Sequence, residues 1–280
     1  MAGKSSWFKW EDLGNLGLVE DDISADLLGA TPARGLAILG LISLEQFLED
    51  LEHLGLLTRL RRRGYVRFRP SLEKIDLFSE RLRLFGSHPD HPEELRLMDV
   101  KSHRAALETP WKQRYRALGW DWVELQDPVA PLSPYRPLLP GQKHPGLGMF
   151  WALTQLMMSY VEKLQLEALT AIPMYFHNAV LYSESFRFLL PEVQGRFQAM
   201  CRDLLHDGLS PASWWVERRE VVMVDRSTGE QSRFKWEAAL IVRPLGGDLA
   251  EHLQADAYQQ RCSQAMESVE FRICPSEEEG

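Results

Sequence analysis

The sequence predicts a mixed α/β fold, an α+β arrangement in which helices flank a mixed central sheet and a mainly helical segment comes first. Three observations predict it. Apolar residues recur at helical spacing over residues 43–54. Large and charged residues alternate over residues 65–69, as in a strand. Between residues 120 and 172, a strand-like piece, a glycine turn, a helix-like segment and a second strand-like piece follow in the order of a βαβ unit.

The composition is that of a folded protein with an ordinary core. Hydrophobic residues make up 45% of the 280 residues and charged residues 26%, which excludes extensive disorder. A net charge of −8 argues against binding polyanions except through a local patch. Three scattered cysteines are too few for a disulfide framework, and no apolar run reaches the roughly 20 residues of a bilayer span. We expect a cytoplasmic protein that binds neither a metal nor a membrane.

Charge changes sign near the N terminus. Residues 1–58 carry 3 basic and 10 acidic residues, net −7, whereas residues 59–83 carry 9 basic and 3 acidic ones, net +6. We expect these segments to lie against each other. In the competing interpretation, residues 59–69 form the recognition helix and wing of a nucleic-acid-binding domain. The acidic polar face of the preceding helix would repel phosphates, so the intramolecular match is the better interpretation.

The first elements are predicted in the order helix, strand, helix. Ser43 is a natural N-cap for the helix over residues 43–54, and Gly55 is its stop signal. Pro70 is expected to end the strand that begins at residue 65. A second helix is then expected from residue 71 or 72 to residue 85.

Residues 86–94 contain two prolines and are predicted to form a loop. His88 and His91 flank Asp90 in this stretch, so a metal site is a competing interpretation. No further ligand is signalled nearby, and the loop is the better interpretation.

The first stretch of the sequence that suggests a binding site is a glycine-rich turn. Gly141, Gly146 and Gly148 come immediately before a predicted helix. The first N–H groups of a helix have no intrahelical partner and carry positive partial charge, so such a turn can bind an anion. An ordinary turn is the competing interpretation. The turn is not a Walker loop, because no Gly-Lys-Ser/Thr follows.

A second motif lies one helix and one strand farther along, where Asn178 is predicted to cap a helix. Its residues are Asn178, Ala179, Leu181, Tyr182 and Phe186. The two motifs together resemble the GNAT acyltransferase superfamily. In that family, a turn of the form Arg/Gln-x-x-Gly-x-Gly/Ala opens the helix that receives the acyl-CoA pyrophosphate, and an Asn-x-x-Ala-x-x-Leu-Tyr-x-x-x-Gly-Phe segment forms the next helix. Residues 166–172 lie where the family has its cofactor-splaying strand.

The residues of the second motif fall at matching or nearly matching places of the family pattern, and the chain departs from the pattern in three further respects. Lys143 stands at the first position of the turn motif, with Gln142 one place earlier. Ser185 replaces the glycine before the phenylalanine of the second motif. Residues 191–208 are extra material before the hairpin that the family would place directly afterwards.

The resemblance implies acetyl transfer, or transfer of another acyl group, from acyl-CoA to a small-molecule or protein amine by direct attack. It implies that the pyrophosphate is held at the glycine turn and that Asn178 binds the pantetheine arm or the loop beside it. The implied cofactor-binding residues are Gln142, Lys143, His144, Gly146, Leu147, Gly148 and Asn178. A catalytically inactive GNAT-like binding or regulatory module is the alternative.

Three residues are catalytic candidates. The resemblance implies that Tyr182 donates a proton to the departing CoA thiolate; a core tyrosine is the competing interpretation. Glu124 is a candidate general base by position, against a solvent-facing strand carboxylate. His177 is a candidate base or orienting group, against a structural hydrogen-bonding role.

The remaining segments complete the domain prediction. Residues 221–224 and 233–236 are predicted to form a hairpin around Gly229. We predict an N-terminal helical segment over residues 1–63, a GNAT-like acyltransferase domain over 64–250, and a C-terminal helix with a solvated acidic tail over 251–280.

Overall fold

The computed structural model describes residues 18–19, 37–134 and 137–274. Most of the N-terminal segment before residue 37 and the predicted tail from residue 275 lie outside the described residues. The mixed α/β class is confirmed, because a large mixed sheet is accompanied by helices along the chain.

The α-helices of the described part are spread along the chain from residue 44 to residue 268. They are α1 (Leu44–His53), α2 (Leu56–Arg62), α3 (Phe150–Lys163), α4 (Phe176–Tyr182), α5 (Pro191–Leu204), α6 (Leu209–Glu217), α7 (Gly247–Gln254) and α8 (Asp256–Ser268). The predicted first helix is confirmed as α1. The Ser43 hydroxyl accepts the Gln46 N–H at 3.1 Å, and Gly55, in the left-handed region at φ 68°, separates α1 from α2.

The strands form one large and two small sheets. In chain order they are β1 (Leu18–Val19), β2 (Ala37–Ile38), β3 (Ile42–Ser43), β4 (Val66–Lys74), β5 (Ser79–His88), β6 (His91–Glu108), β7 (Arg114–Leu125), β8 (Ala168–Ala171), β9 (Arg187–Phe188), β10 (Val221–Asp225), β11 (Gln231–Arg233), β12 (Ile241–Pro244) and β13 (Val269–Ile273). The large sheet has the order β4-β5-β6-β7-β8-β12-β9, with β1 paired to β6. Strands β7 and β8 run parallel, and the other pairs described in this sheet are antiparallel.

The predicted βαβ unit is confirmed as β7, α3 and β8. A parallel pair needs a crossover connection, and α3 supplies it. The predicted hairpin is confirmed as β10 and β11, in which Val222 faces Arg233, but the predicted bounds of its second strand are wrong. That strand covers Gln231–Arg233 and not residues 233–236, because its pairing with β10 begins directly after the turn and ends at Arg233.

The helix expected from residue 71 or 72 to residue 85 is wrong. This stretch forms the end of β4, a turn and most of β5. Leu82 and Leu84 are buried while the arginines between and before them are half-exposed, which is the period-two pattern of a strand. Pro70 lies inside β4 and does not end it, because β4 is an edge strand, where proline is tolerated.

The loop expected over residues 86–94 is also wrong. Strands β5 and β6 continue to His88 and from His91, which face each other across a two-residue turn. The rings of these two histidines meet edge-on with centroids 5.9 Å apart, and His88 Nδ1 accepts the Asp90 N–H at 3.2 Å. The triplet therefore forms a hairpin tip.

The contact expected between the acidic and basic segments is only partly correct. Arg61 Nη1 pairs with Glu52 Oε1 at 2.7 Å across the two segments. Arg63 instead pairs with Asp127, and Arg69 reaches Glu94 on β6. The basic residues of this segment therefore pair with acidic residues from several parts of the chain, and not only with those of residues 1–58.

One apolar core joins the N-terminal helices to the sheet and to α3. Phe47 and Leu51 of α1 belong to the same buried cluster as Tyr160 and Val161 of α3. The Tyr160 hydroxyl donates to Asp50 Oδ2 at 2.7 Å.

The predicted domain bounds stay a prediction. Within the described ranges, no helix combines the length and apolarity that crossing a membrane requires.

Candidate functional site

The site lies where β7 and β8 part. Their pairing ends at Trp120 and Ala171, although β7 continues to Leu125. Beyond that point the glycine turn takes the place of β8, because the Leu147 N–H donates to the Leu125 C=O at 3.3 Å and Gly146 forms a bridge with Gln126. On the β8 side of β7, the edge between Trp120, where the pairing with β8 ends, and Leu125, where the glycine turn makes contact, therefore faces a gap.

Two adjoining clefts open at this gap. The strand cleft, of about 130 Å³, is lined by residues 120–126, 140–144, 172–175, 177, 178 and 182. The turn cleft, of about 670 Å³, is lined by residues 123, 125, 134, 137, 139, 142, 145–148, 150, 178, 181, 182 and 208–211. Gln142, Asn178 and Tyr182 line both clefts, so one ligand can reach from one into the other.

The glycine turn presents backbone donors to the turn cleft. Helix α3 has no side-chain cap, and its first hydrogen bond runs from the Leu153 N–H to the Met149 C=O at 3.0 Å. Gly148 has a φ of 66°, which favours glycine. Of the three N–H groups expected to hold an anion, that of Leu147 is engaged with β7. Those of Gly146 and Gly148 make no hydrogen bond within the described part of the chain.

Gln142, Lys143 and His144 lie on the strand-cleft side of the turn. The Gln142 Oε1 accepts the Leu139 N–H at 3.1 Å, which braces the turn. Lys143 is exposed and has no ion pair among the described residues. Gly141 is needed where it lies, because a Cβ there would come within 2.7 Å of the Tyr175 ring. The turn and the segment before α4 are therefore packed together.

Asn178 does not cap α4, contrary to the prediction. The helix begins at Phe176, and Tyr175 occupies the N-cap position with extended backbone. Phe176 and Ala179 are buried, so the apolar spacing starts the helix two residues before Asn178. Its side chain lies between the two clefts.

Tyr182 lies in an aromatic cluster between the clefts. Its ring meets Phe150 edge-on at 4.7 Å and Phe186 at 5.0 Å, and its centroid lies 6.2 Å from Trp120. Burial raises the pKa of Tyr182 above its ordinary value, so the phenol keeps its proton at neutral pH. Its hydroxyl makes no hydrogen bond to any residue the structure describes, and the proton is available to a ligand.

His177 is a buried neutral imidazole in the wall of the strand cleft. It is 2% exposed, and burial lowers its pKa to about 4. The ring stacks on Tyr175 with centroids 5.3 Å apart. Its Nδ1 has no hydrogen-bond partner among the described residues. A neutral imidazole has one ring nitrogen that can accept a proton, and the lowered pKa makes this ring a weaker base than an exposed histidine.

Glu124 is engaged in an ion pair. Its Oε2 lies 2.8 Å from Nη2 of Arg96, and the side chain is 25% exposed. Arg96 also reaches Asp99 at 3.3 Å. A carboxylate held by a guanidinium must break that contact to act as a base, so Glu124 is the less suitable of the two candidate bases.

Sequence reasoning missed two residues of the strand cleft. Trp120 is 3% exposed, and its Nε1 has no partner among the described residues. Asp121 is the extra residue of a bulge in β7 and contacts His103 Nδ1 at 2.8 Å. Burial raises the pKa of Asp121, but contacts with His103 and Lys101 outweigh burial and lower it overall. No local pattern signals a bulge, because it is defined by the partner strand.

No protein-family model matches this chain, and no curated protein matches it. The resemblance to the GNAT superfamily therefore stays a prediction from the two sequence motifs.

Proposed function

We propose that the chain is an acyl-CoA-dependent N-acyltransferase of GNAT type, which transfers an acetyl or other acyl group to an amine. One observation carries the proposal: all the residues that the sequence assigns to cofactor binding or catalysis line two adjoining clefts at the end of a parallel strand pair. They are Glu124, Gln142, Lys143, His144, Gly146, Leu147, Gly148, His177, Asn178 and Tyr182.

The turn cleft suits the phosphates of acyl-CoA, which is the substrate and the only cofactor that we propose. The N–H groups of Gly146 and Gly148 would bind the pyrophosphate, and Lys143, which has no ion pair with a described residue, would add positive charge nearby. A volume of about 670 Å³ lies within the range of roughly 300–1,000 Å³ typical of small-molecule sites.

The open edge of β7 suits the pantetheine arm. The Leu125 C=O points to the β8 side of β7, where it accepts the Leu147 N–H. By the alternation of an antiparallel strand, the N–H and C=O of Val123 point to the same side, where they face the gap. An extended amide chain can pair with such an edge. It would bring the thioester towards the strand cleft, with Asn178 and Tyr182 beside it.

The proposed reaction transfers the acyl group from the thioester of acyl-CoA directly to the amine. The amine attacks the thioester carbonyl, the C–N bond forms and the C–S bond breaks. His177 would accept the proton that the amine loses, and Tyr182 would donate one to the departing thiolate. His177 then releases its proton to solvent, and Tyr182 recovers one from solvent through the turn cleft, so both residues return to their starting protonation states.

The alternative is a GNAT-like binding or regulatory module without catalysis. The ion pair between Glu124 and Arg96 favours it, because no free carboxylate base is found among the described lining residues of the strand cleft. Nucleic-acid binding by residues 59–69 is less favoured, since Arg61, Arg63 and Arg69 are paired with acids of the same chain. We further propose a cytoplasmic location, a small-molecule or protein amine as acceptor, and no membrane partner.

The test is calorimetric titration with CoA and acyl-CoAs. Gly146→Asp is expected to weaken CoA binding at least 100-fold, because the carboxylate takes the anion's place. The fold should survive, since a Cβ at Gly146 comes no closer than 3.7 Å to its nearest neighbour, the Leu125 carbonyl oxygen. Gly246→Asp is the matched control: it adds the same charge at an exposed glycine with open space around it.

Binding by the wild type and by Gly246→Asp, but not by Gly146→Asp, supports the proposal. A wild type that binds no CoA, or a folded Gly146→Asp variant with unchanged affinity, contradicts it. As a second measurement, CoA at 100 times its Kd should stabilise the native state by about 2.7 kcal/mol.

A further inference from the structure

We propose that Arg63 is a positioning residue that holds the glycine turn in its anion-binding conformation, an inference that rests on the proposed function. Arg63 comes directly after α2, far from the turn in sequence. Its Nη1 donates to Asp127 Oδ2 at 3.0 Å, and its Nη2 donates to the Leu147 C=O at 2.9 Å.

Asp127 completes the connection. It is 5% exposed, and its Oδ1 accepts the Tyr65 hydroxyl at 2.7 Å. Its own N–H donates to the Pro145 C=O at 2.8 Å. The Arg63–Asp127 pair therefore binds two carbonyl groups of the turn, those of Pro145 and Leu147.

These two carbonyls determine where the anion-binding N–H groups point. In a planar trans peptide, the C=O and the N–H of the next residue point in opposite directions. The Pro145 carbonyl shares its peptide with the Gly146 N–H, and the Leu147 carbonyl shares its peptide with the Gly148 N–H. Holding both carbonyls on the Arg63 side turns both N–H groups away from it.

Arginine is required for this geometry. A guanidinium offers several donors in one plane, so it can bind a carboxylate and a carbonyl at once, whereas a lysine ammonium acts as a compact point charge. The Arg63 side chain is 34% exposed, whereas the Asp127 side chain is only 7% exposed. Loss of Arg63 would therefore release the Leu147 carbonyl and leave a buried carboxylate without its counter-ion.

Arg61 provides the matched comparison. It lies two residues earlier, pairs with the exposed Glu52 at 2.7 Å, and has no described contact with the turn. Arg63→Met and Arg63→Lys should be measured beside Arg61→Met. Amide hydrogen exchange reports the Leu147 and Asp127 N–H groups, which are bonded in the wild type, and calorimetry reports CoA affinity.

We expect Arg63→Met to accelerate exchange of the Leu147 and Asp127 amides at least tenfold and to weaken CoA binding at least tenfold. With saturating acyl-CoA, kcat should change less than twofold, a split that a general loss of folded protein would not produce. Arg63→Lys should fall between Arg63→Met and the wild type. Arg61→Met should stay within twofold of the wild type in exchange and in affinity.

Two results separate this inference from the proposed function. If the wild type binds no CoA, the proposed function fails, and amide exchange alone decides whether Arg63 holds the turn. If Arg63→Met matches the wild type in exchange and affinity, the inference is overturned whatever the function. Should Arg63→Met not fold, Arg63→Met with Asp127→Asn removes the buried charge and allows the same comparison.

Discussion

Two regions of the large sheet differ in whether their buried polar groups have partners within the protein. In the meander β4–β7, buried acids are fully paired: Asp99, wholly buried, binds Arg81 through two hydrogen bonds of 2.7 and 2.8 Å. Glu80, 3% exposed, accepts the Leu39 N–H at 2.8 Å and pairs with Lys74. Such groups are bound within the protein and have no capacity left for a ligand.

In the other region, around β7, α3, β8 and α4, buried polar groups lack partners among the described residues. They are the His177 Nδ1 and the Trp120 Nε1. The hydroxyl of the buried Tyr182 likewise makes no hydrogen bond to a described residue. An unpartnered buried polar atom costs free energy, and such a cost is often retained where a ligand will supply the partner. The meander also holds buried atoms without a hydrogen bond, Arg96 Nε and His103 Nδ1, but both of these side chains contact acids of the same sheet. The unpartnered groups near α4 line the clefts instead, which marks them as the candidates for ligand binding.

The largest expected effect tests the unpartnered hydroxyl. Tyr182→Phe should lower kcat by about 10²-fold or more, the scale of a positioned acid, with little change in CoA affinity, because the interaction forms only as the thiolate leaves. Steady-state kinetics with acyl-CoA measures it. Tyr160→Phe is the control: it should keep kcat but lose about 1 kcal/mol of unfolding free energy, because its hydroxyl binds Asp50.

Full activity of Tyr182→Phe would show that water or another group protonates the thiolate. A wild type that binds CoA and acylates no amine in a broad acceptor screen would favour the binding module.

A partnered acid in the meander should affect stability alone. Glu80→Gln is expected to lower the unfolding free energy by about 2 kcal/mol, the scale of a hydrogen bond to a charged group, and to leave CoA binding unchanged. Denaturant titration and calorimetry measure the two. Glu94→Gln, which removes an exposed partner of Arg69, should cost clearly less. Equal losses in the two variants would contradict the contrast drawn between buried and exposed pairs.

His177 predicts a pH dependence of stability. Its folded pKa of about 4 lies below the ordinary value near 6.5, so the unfolded chain binds the proton more readily. Stability is therefore complete above about pH 6.5 and falls as the pH is lowered, by about 1 kcal/mol between pH 6.5 and 5.5. His177→Gln should remove this part of the dependence in denaturant titrations across that range; an unchanged slope would refute the assignment of a buried neutral imidazole.

The smallest effect is expected from the exposed pair. Arg61→Glu should lower Tm slightly more than Arg59→Glu, because only Arg61 has an acidic partner among the ion pairs described. Neither the wild type nor the variants should bind DNA or RNA in fluorescence anisotropy titrations. Salt-sensitive binding by the wild type that disappears in Arg61→Glu would favour the nucleic-acid interpretation instead.

Part of the fold and the composition of the site could be predicted from the sequence. Apolar spacing and Ser43 predicted α1, and the strand-turn-helix-strand order predicted the unit of β7, α3 and β8. The motifs contained part of the lining of both clefts, but not Trp120 or Asp121. These features are local, because a helix is specified by residues three and four apart and a turn by its glycines.

The tertiary structure decided what local pattern could not. Residues 71–85 form strands and not a helix because β5 pairs with β4 on one side and with β6 on the other. Such pairing depends on residues that are distant in sequence. The Asp121 bulge exists only relative to β6, and α4 begins at Phe176 because of what it packs against. Arg63 and Asp127, 64 residues apart, meet at the glycine turn only in the folded chain. The candidate residues follow from the sequence alone, because their types and local spacing suggest them. Long-range packing determined which of their polar atoms stay without a partner among the described residues and which way the N–H groups point.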